Sequence, residues 1–150
     1  MTTTESTPLA GGCLCGRVRY QSRDAPQIVG HCFCVDCRKS SATGHGTHVM
    51  VPEAGFSLSG ELKFFASNAD SGNEVRRGFC PNCGCAIYST NSGMSGVVVL
   101  RASSLDDPNG VQPGVNVYTS RAPSWDPPDP SLPGFAEMPE GGIPAELAGR

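Results

Sequence analysis

No stretch of this sequence stays apolar for the roughly 18 residues that a membrane-spanning helix needs. Residues 1–10 are polar and rich in threonine, without the basic and apolar regions of a secretory signal. The chain is therefore expected in the cytoplasm. Aromatic residues are few, with six Phe, three Tyr and one Trp. Charged residues make up only 17%, and the net charge is −3. An acidic chain without interleaved aromatics and basic residues has little with which to grip nucleic acid or an anionic membrane. The basic pairs Arg38-Lys39 and Arg76-Arg77 read as solvated surface. There is no long amphipathic helix, no G-x-G-x-x-G and no Walker motif, which argues against a nucleotide-binding α/β fold.

What the chain does have is a series of short segments that favour strands. They cover residues 17–20, 48–51, 56–59, 62–66, 75–79, 86–90, 97–100 and 115–118, with Gly, Pro, Asn or Asp near most of their ends. This pattern predicts an all-β fold of small antiparallel sheets. A single short helix is expected over residues 35–41. Of the 13 prolines, seven fall in the last 29 residues, so that part should be irregular and should wrap the surface at Trp125 and Phe135. The expected organisation is a disordered lead over 1–10, one domain over 11–139 and a mobile tail over 140–150.

Eight cysteines lie in three tight groups: Cys13 and Cys15; Cys32, Cys34 and Cys37; Cys80, Cys83 and Cys85. A reducing cytoplasm disfavours a disulfide framework, and buried core thiols would not cluster in this way. Zinc takes four soft ligands in a tetrahedron. Cys-x-x-Cys on a tight turn offers two sulfurs on one side of the backbone, with Gly84 free to adopt the left-handed conformation that closes the turn. Cys-x-Cys offers two sulfurs on one side of an extended strand. Cys13, Cys15, Cys80 and Cys83 thus make a closed four-thiolate zinc site. Cys32, Cys34 and Cys37 supply three ligands and leave a fourth position open, the pattern of catalytic zinc. Two Zn²⁺ per chain are expected. Cys85 either closes the second site or faces the core as a spare thiol. A redox disulfide from Cys34 and Cys37, or from Cys80 and Cys83, is the competing reading.

The segments Gly11 to Gly16, His31 to Ser40 and Arg77 to Gly84 resemble the glutathione-dependent formaldehyde-activating enzyme family, which includes centromere-protein-V-like proteins. Ala102 to Asp107, Ala122 to Asp126 and Leu132 to Phe135 resemble later parts of the same pattern. The resemblance implies packed antiparallel sheets with two zincs, one structural on Cys13, Cys15, Cys80 and Cys83, and one catalytic on Cys32, Cys34 and Cys37. It implies carbon–sulfur lyase chemistry that joins glutathione to formaldehyde, or splits the adduct. The sequence departs from the family at Cys85, usually a small residue there, and in the histidine-rich stretch from Thr43 to His48.

A zinc-bound substrate thiol would stay ionised at neutral pH and attack a small aldehyde. Glutathione carries two carboxylates, so a cation is expected nearby. Arg38 is the first candidate and Lys39 the weaker one. His45 or His48 is a candidate to move the proton of the adduct hydroxyl. His31 is expected to support a sulfur or a backbone group, and Asp36 to cap the short helix. The alternative to an enzyme is a non-catalytic zinc scaffold, or a binding protein that responds to metal or redox state.

Overall fold

The structure is a computed structural model that describes residues 8–150. Eleven strands and one α-helix follow one another along it. The first strands are β1 (Leu9–Gly12), β2 (Arg19–Ser22) and β3 (Ile28–Cys32). Helix α1 (Val35–Ser41) comes next, then β4 (Gly46–Pro52), β5 (Phe56–Ser59), β6 (Lys63–Asn68) and β7 (Glu74–Phe79). The series ends with β8 (Ala86–Asn91), β9 (Val97–Arg101), β10 (Val115–Val117) and β11 (Gly134–Phe135). The fold is mostly β, as the sequence predicts, and α1 has the predicted bounds. No helix among the described residues is long and apolar enough to cross a membrane.

Two sheets form. One has three antiparallel strands in the order β1-β2-β5. The other has eight strands in the order β11-β10-β3-β4-β9-β8-β7-β6. It is antiparallel from β3 to β6, but β10 pairs parallel with both β3 and β11. The larger sheet is therefore mixed. Alternation along the strands of the larger sheet decides what each face does. Val29, Val49, Val51, Val98 and Leu100 point to one face and are buried against Val18, Tyr20 and Leu105. The register shift at Gly78/Phe79 leaves Ile87 outside the ladder, so Ile87 and the next residue, Tyr88, both pack into this core. The opposite face carries Gly30, Cys32, His48, Met50, Val99 and Arg101 and lines a cavity.

The ends of the chain differ from expectation. Residues 1–7 of the predicted disordered lead lie outside the described residues, and Leu9 and Ala10 belong to β1. The C-terminal segment is irregular but docked. The Val29 amide donates to the Ala148 carbonyl at 2.5 Å, and Gln112 and Arg150 exchange backbone hydrogen bonds. Ile143, Leu147 and Phe135 pack against a second apolar cluster around Val115 and Val117. Apart from that of Phe135, these contacts come from residues 140–150, the segment expected as a tail. Trp125, expected to anchor this part, is 68% exposed.

Candidate metal centres and the cavity

The cysteines converge as two groups. The sulfurs of Cys13, Cys15, Cys80 and Cys83 all lie within 4.8 Å of one another, and so do those of Cys32, Cys34 and Cys37. All eight cysteines are free thiols with no disulfide. The first group joins two hairpin turns from different sheets. Cys13 and Cys15 sit on the turn after β1, closed by Gly16 at φ 82° and by the Gly16 amide bonding the Cys13 carbonyl at 3.2 Å. This is a turn and not the extended strand that the spacing suggested. Cys80 and Cys83 sit on the turn between β7 and β8, closed by Gly84 at φ 75° as its position implied.

The donor set of this first group fits a soft cation. Four sulfurs each ~2.3 Å from a tetrahedral centre stand about 3.8 Å apart. Here Cys13 and Cys15 are 3.5 Å apart, and Cys15 and Cys80 are 3.7 Å apart. Hydrogen bonds from the Asn82 side chain and the Arg17 backbone hold the Cys15 thiol down at about 6. The Val18 amide donates to the Cys13 sulfur at 3.2 Å. Such donors favour thiolates, the form that binds metal.

The second group comes from one short piece of chain. Cys32 ends β3, Phe33 is buried and turns the backbone, and Cys34 is the N-cap of α1. The Cys34 sulfur accepts from the Cys37 amide at 3.4 Å. Capping therefore falls to Cys34 and not to Asp36. Cys34 and Cys37, three apart at the start of a helix, face the same way. Hydrogen bonds from the Cys32 and Cys37 thiols push Cys34 down to about 2, while the same contacts and burial push Cys32 up. Three crowded sulfurs cannot all carry charge alone, and a divalent cation among them would remove that conflict.

Cys85 belongs to neither group. Its sulfur lies 3.7 Å from the Ala86 carbonyl and packs against the main core, on the side of the first group. The core-facing alternative holds, and the second group keeps three sulfurs.

Around the three-sulfur group the sheet builds a cavity of about 410 Å³. His48 reaches it from β4, with Nε2 3.2 Å from the Cys37 sulfur. Burial, aided by Arg101, pushes His48 down to about 3, so the ring is neutral. Nε2 faces the Cys37 sulfur, and the buried Nδ1 has no partner among the described residues. Arg101, opposite His48 on β9 and only 4% exposed, donates to Ser40 Oγ at 2.7 Å and also bonds Ser41. Arg77, on β7, donates to Ser67 at 3.1 Å and lies 4.0 Å from Asp36. Gly46 lets these groups meet: a Cβ there would lie 2.8 Å from Ser41 Oγ, 2.9 Å from His48 Nε2 and 3.0 Å from Arg101 Nη1.

Of the residues expected to contact substrate, only His48 lines the cavity. Arg38 and Lys39 lie outside its lining. His45 is turned away: its Nδ1 bonds Asp126 at 2.5 Å, and its ring meets His31 edge-on and Phe33 at a tilt, with centroids 4.8 Å apart in each case. His31 bonds the Thr47 hydroxyl at 2.8 Å and no sulfur. The cations that do face the cavity are Arg77 and Arg101. Arg76 and Arg77 were both expected on solvated surface. Strand alternation separates them, placing Arg76 over the Phe64 ring at 5.0 Å and Arg77 in the cavity.

The family described as glutathione-dependent formaldehyde-activating enzyme matches residues 8–121. The chain belongs to this family. The match spans both hairpin turns of the first cysteine group, the whole second group and both cavity arginines. A crystal structure of a Rhodobacter sphaeroides protein is similar in fold, with a TM-score of 0.50 at 15% identity. The likeness covers 65% of this chain and 87% of that one. No curated protein matches the chain in sequence. The family is described as formaldehyde-activating, and each of the two cysteine groups could hold a metal ion.

Proposed function

We propose that both cysteine groups hold zinc and that the three-sulfur group serves a carbon–sulfur lyase. The reaction joins a thiol, glutathione or a similar one, to formaldehyde or another small aldehyde, or splits the adduct. One observation carries this reading: three sulfurs, without a fourth protein ligand among the described residues, stand at the wall of a cavity large enough for a small molecule. Cys85 sits by the other group, so the sulfurs do not divide four and four, which weighs against a purely structural scaffold. The thiol chemistry suits a reducing compartment such as the cytoplasm.

Cys32, Cys34 and Cys37 would hold the second zinc, and Cys13, Cys15, Cys80 and Cys83 the first. Zinc bound at the second group would supply a soft cation that keeps a substrate thiol ionised at neutral pH. The protein does the rest. His48, 3.2 Å from the Cys37 sulfur, would fix the orientation of that sulfur. The guanidinium groups of Arg101 and Arg77 offer positive charge to an oxygen or carboxylate of the substrate. The mostly apolar lining gives these charges a poorer dielectric than bulk water. Joining forms one carbon–sulfur bond, and the thiol proton ends on the aldehyde oxygen; splitting reverses both changes.

Exchange NMR of a glutathione and formaldehyde mixture tests the reading. Zinc-loaded protein should speed the exchange over buffer, Cys85→Ser should keep the effect and Cys34→Ser should lose it. Equal rates in buffer, wild type and Cys34→Ser would refute it.

A further inference from the structure

The shape and lining of the cavity say more about substrate than the sulfurs do. Its floor is the outer face of the larger sheet, where Ile28, Met50, Val99, Val115 and Val117 project, and Ile143 of the docked C-terminal segment covers it. Met94 and Met138 complete the apolar part. Charge is confined to the sulfur end and the β6–β7 turn, and there Arg77 and Arg101 are balanced by Asp36 and Asp70. Both arginines also have protein partners already, Ser67 for one and Ser40 with Ser41 for the other. The neutral polar side chains lie toward one side, Ser71 and Asn73 on the β6–β7 turn and Ser89 and Asn91 on β8, where the polar part of a thiol such as glutathione finds partners, while the apolar positions of β3, β4 and β9 offer it none. Formaldehyde, one carbon, would leave almost all of the apolar space unfilled. At the ~30 Å³ of a water-sized group, 410 Å³ holds on the order of a dozen such groups.

We propose that the physiological substrate is a thiol adduct of an apolar aliphatic or aryl aldehyde. The hydrocarbon part of the aldehyde lies along β3, β4 and β9 beneath Ile143, with its sulfur at the three-cysteine end. This rests on the lyase reading above and sharpens it. The bond change is the same: RS–CH(OH)–R′ splits into RSH and R′CHO, the hydroxyl proton ending on sulfur, with R′ apolar. No oxidant or reductant is involved.

Two measurements test it. In the first, unreactive 1-alkanols from ethanol to octanol are titrated into zinc-loaded protein carrying ¹³C-methyl methionine. The methyl signals of Met50, Met94 and Met138 should shift, and affinity should rise about fourfold per added carbon, the value of a buried methylene. Met50→Gln, nearly isosteric, should weaken octanol binding about tenfold while zinc content stays at two; should that variant fail to fold, the wild-type series decides. In the second, the glutathione adducts of formaldehyde and hexanal are compared. The hexanal adduct should have a kcat/KM at least tenfold higher. Affinity independent of alcohol length, or a preference for the formaldehyde adduct, overturns the inference and leaves the lyase reading intact. Turnover of neither adduct overturns the lyase reading and this inference with it.

Discussion

At the scale of single residues, the second cysteine group depends on neighbours that are not ligands. His48 touches the Cys37 sulfur, and loss of such a supporting group costs about 10–100-fold in metal affinity. His48→Ala should therefore weaken one zinc by that factor in a chelator competition, with the other zinc unmoved; equal loss from both would refute the role. Gly46→Ala inserts a methyl between Ser41, His48 and Arg101. Overpacking of this kind costs ~1–3 kcal/mol, so urea unfolding should show a loss in that range, and a neutral result would mean the three side chains can separate. The cysteines were legible because metal binding leaves a spacing signature: turn geometry forces ligands into near-adjacent pairs. His48 was visible only as one histidine of several. Arg101 left no signal, because a strand reading Val-Val-Val-Leu-Arg looks like a strand that merely ends in a surface charge. Its partners, Ser40 and Ser41, are sixty residues away in sequence, and only the fold brings them together.

At the scale of elements, α1 presents Cys34 and Cys37, and its end is strained. Ala42 closes the helix in the left-handed region at φ 58°. That conformation costs an L-residue about 1–2 kcal/mol, and glycine adopts it freely. Ala42→Gly should stabilise the protein by about 1 kcal/mol, a rise of ~2–4 °C in melting temperature for a domain of this size. A fall would mean that the Ala42 methyl makes packing worth more than the strain. Eight of the eleven strands were readable from alternation and turn residues. The three that were not have physical reasons. β1 is Leu-Ala-Gly-Gly and β3 is Ile-Val-Gly-His-Cys, both short and lacking a clear polar and apolar alternation. β3 is buried between β10 and β4, and its Gly30 is small because a Cβ there would lie 2.9 Å from Val115. β11 has only two residues, and tertiary contact alone makes it a strand. The parallel pairing of β10 was likewise invisible, since it depends on the long connection from β9 to β10 and not on local sequence.

At the scale of the whole molecule, the first cysteine group is a clamp. It ties the β1–β2 turn of the three-stranded sheet to the β7–β8 turn of the eight-stranded sheet, across 65 residues of chain between Cys15 and Cys80. Metal at such a site contributes directly to folding, because the unfolded chain has no preformed site. The second group lies within six residues and closes no long loop. Cys80→Ser should therefore lower the melting temperature far more than Cys34→Ser, although each removes one ligand. Similar losses, read by calorimetry under reducing conditions, would contradict the division into a clamp and an open site. An antiparallel sheet fold was legible in the short strands and their turn signals, and the family resemblance implied that the sheets pack together. The cavity was not, because it arises where a docked C-terminal segment covers a sheet face, and prolines in a sequence do not say which surface they will lie against. The most direct test of the account is metal analysis joined to zinc-edge absorption spectroscopy, on protein purified under reducing conditions without added zinc. It predicts two zincs per chain, one bound by four sulfurs and one by three sulfurs and a lighter atom. A single zinc with four sulfurs, or cysteines found paired as disulfides with no metal, would contradict it.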